Sequence, residues 1–125
     1  MKVLDTSVAI DHLRGSESAA NLLVAALKAE EALVASEVVR FELLIGARQE
    51  EMEALEDFSA ALSWIPVTEE VARMAAALAR RHRRSHSGID DVDYLIAATA
   101  LLLDAELLTT NVRHFPMIPE LKAPY

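Results

Sequence analysis

Short apolar runs alternate along this chain with longer stretches in which apolar residues recur every three to four positions. Val3-Leu4, closed by Asp5, predicts a buried strand over residues 2–5. Thr6 or Ser7 then caps a short helix to about Leu13, and Gly15 ends it. From Ser18 to Ala29, apolar residues at Ala19, Leu22, Leu23, Ala26 and Leu27 keep a helical period. Ala32 to Ala35 predicts a second strand, after which Ser36 caps a helix to about Ala47. Glu50 to Leu62 carries Met52, Leu55, Phe58 and Leu62 on one helical stripe. Ser63 to Val67 predicts a third strand, and Pro66 places it at an end or an edge of the sheet. Thr68, followed by Glu69 and Glu70, opens a helix that runs to a cluster of arginines. Ser85 to Gly88 is a loop, Asp90 or Asp91 begins a helix to about Leu103, and Glu106 to Thr109 is the last strand. The tail, with Pro116, Pro119 and Pro124, predicts irregular backbone.

Short apolar strands alternating with helices predict an α/β domain. Its core is a mainly parallel sheet of four to five strands flanked by helices on both faces. With 125 residues and no linker or repeat, the chain reads as one domain over 1–125. Hydrophobic residues make up 53 %, enough to bury a core at this size. There is no cysteine, which excludes disulfide scaffolds and thiolate metal sites. The N-terminus lacks the pattern of a secretory signal, and no apolar run nears the ~20 residues that span a membrane. A soluble cytoplasmic protein is the expectation. A net charge of −8 speaks against a nucleic-acid partner. Two features weigh the other way. A cation-binding acid cluster adds negative charge for a functional reason. Arg80, Arg81, Arg83 and Arg84 also supply four of the twelve Lys and Arg within five positions. That cluster suits either an RNA backbone or a solvated helix end whose dipole favours cations.

Three acids stand at the edges of apolar runs. Asp5 closes the first strand, and ligands of open α/β sheets bind outside the carboxyl ends of strands. Glu42 interrupts Val38 to Ile45, and Asp93 precedes a helix apolar nearly all round from Tyr94 to Leu101. Burying an unpaired carboxylate is costly, and a shared hard cation such as Mg²⁺ or Mn²⁺ would compensate. Each acid also has an ordinary reading. Asp5 suits a helix N-cap, Glu42 an ion pair with Arg40 or Arg48, and Asp93 a first-turn acid on a helix dipole. The four histidines form no zinc-type spacing, the three scattered glycines form no phosphate loop, and no nucleophile elbow is present.

The run Leu4-Asp5-Thr6-Ser7-Val8-Ala9-Ile10-Asp11-His12-Leu13-Arg14-Gly15 resembles the first motif of PIN-domain nucleases, and within them of VapC-type toxins. Arg40-Phe41-Glu42-Leu43-Leu44-Ile45-Gly46-Ala47 is similar to the second, Asp93-Tyr94-Leu95-Ile96-Ala97-Ala98-Thr99-Ala100 to the third, and Leu108 to Phe115 to the fourth. The motifs keep the family's order and span nearly the whole chain. The resemblance implies a Mg²⁺- or Mn²⁺-dependent endoribonuclease, with Asp5, Glu42 and Asp93 as catalytic metal ligands. It also implies a small antitoxin of VapB type that enters the active-site groove, and a homodimer. Many relatives carry a fourth acid immediately before the last motif's Phe, where this chain has His114. Asp90, three residues before Asp93 on the same helical face, is a candidate substitute and equally a candidate N-cap. Thr6, Thr110, Asn111, Arg80 and Arg84 are candidate substrate contacts, Thr110 and Asn111 being equally suited to building a turn.

Three other functions compete. One is a PIN-fold nuclease that processes RNA outside toxin–antitoxin systems, and another is a catalytically weak PIN-fold binding module. A receiver-type phosphoacceptor is disfavoured, because no Asp follows the second or third strand.

Overall fold

The computed structural model describes residues 1–125. Ten regular elements follow in order: β1 (Lys2–Leu4), α1 (Thr6–Leu13), α2 (Glu17–Lys28), β2 (Leu33–Ser36), α3 (Glu37–Gly46), α4 (Met52–Ala60), β3 (Ser63–Ile65), α5 (Glu69–His82), α6 (Asp91–Leu102) and β4 (Glu106–Leu108). The four strands form one sheet in the order β3-β2-β1-β4, and every pairing is parallel. Val3 is in register with Val34 on one side and Leu107 on the other.

Parallel strands are buried on both faces because their crossovers carry helices back over the sheet. All four residues of β2 are buried, and Val3 and Leu4 of β1 are wholly so, which is why these strands read as unbroken apolar runs. β3 is half-buried at the sheet edge and stops at Ile65, shorter than the predicted 63–67, because Pro66 has no N–H for the ladder. The predicted helix over 50–62 begins with a separate 3₁₀ turn, Gln49–Glu51, before α4.

Helix termini are fixed locally. Ser16, Ser36 and Thr68 accept hydrogen bonds from the N–H groups of Ala19, Val38 and Val71, capping α2, α3 and α5. The chain leaves α1 through Gly15 at φ +88°, a left-handed backbone that glycine adopts without strain. The cap of α1 is Asp5, not Thr6 or Ser7, and its carboxylate makes no cap hydrogen bond because it is engaged elsewhere. α6 buries Tyr94 and Ile96 through Ala100, and the buried Thr99 hydroxyl donates 2.8 Å to the Leu95 carbonyl. Small residues let α6 approach its neighbours closely; it packs against α5, α3 and strands β2 and β4.

The chain moves outward from β1 to β2 to β3, then crosses to the other side of β1 to make β4. The strand order therefore reverses between β1 and β4. Outside the carboxyl ends of two such strands, the loops diverge and leave a crevice.

Candidate active site

Asp5 follows β1 directly and is 4 % exposed. Its backbone N–H donates 3.0 Å to the Leu108 carbonyl, which ties it to the end of β4. Its Oδ2 accepts from Thr109 Oγ1 at 2.6 Å and from Ser7 Oγ at 2.9 Å. The two hydroxyl oxygens lie 3.3 Å apart, each with its proton directed to Oδ2. The turn after β4 is laced to them, since the Thr110 N–H donates to Ser7 Oγ and the Asn111 N–H to Thr109 Oγ1. Thr110 and Asn111 thus build this turn through their backbones.

Glu42 comes from the middle of α3. The buried Thr6 hydroxyl donates 2.5 Å to its Oε1, which ties it to the residue after Asp5. The surface partners foreseen for Glu42 are absent. Arg40 pairs with Glu37 and lies 4.1 Å over the Trp64 ring.

Asp93 stands in the first turn of α6, its side chain 14 % exposed. Its Oδ2 accepts from the Asp90 N–H at 3.3 Å and lies 3.2 Å from Nδ1 of His114, which closes the 3₁₀ turn Val112–His114. Burial pushes the Asp93 carboxyl up to about 6, and the charges of Asp5 and Asp90 push the same way against the pull of the Asp90 N–H and His114. The charge of Asp5 is therefore felt at Asp93. Asp90 itself is exposed at the N-cap of α6. Asp91 is exposed and pairs with Arg83.

Each of the three carboxylates is gripped through one oxygen: Asp5 and Asp93 through Oδ2, Glu42 through Oε1. The other oxygen of each receives no hydrogen bond from the protein. No group of three or more carboxylates and imidazoles is close enough to hold an ion by protein ligands alone. The donor set fits an ion that keeps much of its water shell. Mg²⁺ is typically bound by one or two carboxylates plus waters, and two repelling, half-free carboxylates meet that need.

Arg80 and Arg84 are exposed and make no ion pair with these acids; Arg80 lines a shallow groove between α5 and α6. Sequence reasoning passed over Thr109 and left Ser7 as only a possible helix cap. The available signal was a hydroxyl residue just beyond each of two strands destined to pair.

An all-parallel sheet with Asp5 and Asp93 placed at the reversal of its strand order defines an α/β domain with its ligand site at that edge. The chain belongs to the PIN-domain family, whose model matches residues 2–120, and within it to the VapC ribonucleases. It is 60 % identical over 125 residues to Ribonuclease VapC19 of Mycobacterium tuberculosis, covering 100 % of both chains. It is 44 % identical to Ribonuclease VapC10 of the same organism, over 100 % of this chain and 93 % of that one. Among solved structures, it resembles a toxin–antitoxin complex from Klebsiella pneumoniae at 27 % identity and a TM-score of 0.78, covering 100 % of this chain and 98 % of that one. VapBC2 from Rickettsia felis, bound to a promoter DNA fragment, shares the fold with a TM-score of 0.84 at 23 % identity, over 98 % and 96 % of the two chains. No helix is long and apolar enough to cross a membrane.

Proposed function

We propose that this chain is a divalent-metal-dependent endoribonuclease that serves as the toxin of a toxin–antitoxin pair, with Asp5, Glu42 and Asp93 as its catalytic acids. The observation that supports the reading is that these acids come from three elements beside the sheet's reversal point, with the charge of Asp5 felt at Asp93 and each acid anchored by one oxygen and free at the other. Identity of 60 % to a named VapC ribonuclease along the full chain supports the activity. Asp5 and Asp93 would hold Mg²⁺ or Mn²⁺. A bound ion of this kind lowers the pKa of its water and stabilises charge on a leaving oxygen. Glu42, held by Thr6, keeps Oε2 free to orient a water beside Asp5. Ser7 and Thr109 keep the Asp5 carboxylate from turning away. The exposed Arg80 and Arg84 offer positive charge to an RNA backbone otherwise repelled by a net charge of −8.

The partner in this reading is a small antitoxin. The likeness to a toxin–antitoxin complex at 27 % identity supports it. So does a groove of about 560 Å³ that begins at Glu42 and is lined by Ile10, Leu13, Leu43, Ala47 and Leu55. A homodimer belongs to the same reading, and sedimentation would report it.

The test is RNA cleavage by the purified chain with Mg²⁺ or Mn²⁺, with chelator, and by the Asp5→Asn variant. Cleavage is expected with either metal and is expected to vanish with chelator. It should also fall in the variant by more than the roughly 10–100-fold that loss of an outer partner of a metal ligand costs. Undiminished metal-stimulated cleavage by Asp5→Asn would sink the assignment.

A further inference from the structure

The three carboxylates are gripped by different chemistry. Hydroxyls hold Asp5 and Glu42, whereas Asp93 accepts a backbone N–H at 3.3 Å and has Nδ1 of the His114 ring 3.2 Å from the same oxygen. A hydroxyl accepts as readily as it donates, so it sets an oxygen's position without dictating its own protonation. A neutral imidazole donates from one nitrogen alone. We infer that His114 is a positioning residue for Asp93: in its neutral form it carries its proton on Nδ1, donates it to Oδ2, and so leaves Oδ1 free for a metal ion. This rests on the metal-site reading above.

Three observations favour the role. His114 ends a 3₁₀ turn whose backbone is fixed, its N–H donating 2.9 Å to the Asn111 carbonyl, so the ring is delivered by a braced segment. The next residue, Phe115, is 1 % exposed and anchors that segment in the core. The ring is also 44 % exposed while the Asp93 side chain is 14 % exposed. The imidazole therefore stands on the solvent side of the acid, with Nε2 free of protein partners. Among the groups facing it, the Asp93 Oδ2 is the acceptor within 4 Å of Nδ1. Orientation of a ligand by a partner behind it is worth roughly 10–100-fold in metal affinity at sites of this kind.

Two measurements test it. The first is the ring's tautomer, read from ¹⁵N shifts of His114 in the intact wild-type chain at a pH where imidazole is neutral. The proton is expected on Nδ1; a proton on Nε2 overturns the proposal. The second is calorimetric binding of Mn²⁺ to wild type, His114→Ala, His114→Asn and Asp93→Asn, with thermal unfolding as a folding check. His114→Ala should lose about 10–100-fold in affinity. His114→Asn, whose amide N–H reaches close to the Nδ1 position, should recover most of it. Unchanged affinity in His114→Ala overturns the proposal, as does an Asn variant as weak as Ala, which would make the ring itself a ligand. Wild-type binding that Asp93→Asn leaves intact would instead sink the metal-site reading, and this inference with it.

Discussion

Helices α5 and α6 pack against each other, yet their charges mean different things. α5 carries Glu69, Glu70, Arg73, Arg80 and Arg81 on a solvated face, and its Arg73–Glu69 pair is about as exposed as side chains get, at 77 % and 79 %. Such pairs contribute about 0–1 kcal/mol and can be exchanged freely. α6 is apolar nearly all round, and Asp93 is the one acid held among its buried residues. Desolvation raises the cost of charging it, and Asp5 raises that cost further. A group kept at such expense is a better guide to function than a dozen charges on an open face.

The sharpest way to break this contrast is to neutralise one acid on each side of the α6 N-terminus. Asp93→Asn should cost cleavage more than about a hundredfold, exceeding the loss of an outer partner. Asp91→Asn, which removes only an exposed partner of Arg83, should stay within about twofold. Parallel single-turnover assays would show it, and equal effects would erase the distinction. Next in size is packing. Ala97 is wholly buried on α6, and Ala97→Leu should destabilise the fold by about 1–3 kcal/mol in urea unfolding. Ala77→Leu on the exposed face of α5 should shift it by about 0.5 kcal/mol or less. Smallest is Arg80→Ala. If α5 steers RNA, binding should weaken alike for all sequences and the log–log salt slope should fall by about one unit. A slope that does not move leaves Arg80 as a solvated end of α5.

Most of the fold was legible because the strands are short, apolar and separated by well-capped helices. Val3-Leu4 and Leu107-Leu108 read correctly for the reason that parallel strands are buried on both sides. Boundaries slipped where one residue serves two elements. Ser36 ends β2 and caps α3, and Asp5 leaves β1 and caps α1 with its backbone while its carboxylate turns to Thr109. Asp5, Glu42 and Asp93 could be chosen from their places beside apolar runs and from family motifs. What stayed hidden was how each is held. Thr109 acts on Asp5 across 104 positions of sequence, and no local pattern reports a hydrogen bond of that span. His114 looked like a missing acid, and only its distance from Asp93 gives it a partner.

The long reach between Asp5 and Thr109 has a consequence for synthesis. Chains emerge N-terminus first, at roughly 5–20 residues per second. Asp5 leaves the ribosome 104 positions before Thr109, and the strand that completes its surroundings is the last of the four to be made. A nascent chain holding β1, β2 and β3 has neither β4 nor the two hydrogen bonds that Leu108 and Thr109 supply. The pocket is therefore assembled only once β4 has been made, and a chain terminated before β4 lacks it. A protein able to cut RNA in the cell that makes it would be silent until its own message has been read past the fourth strand.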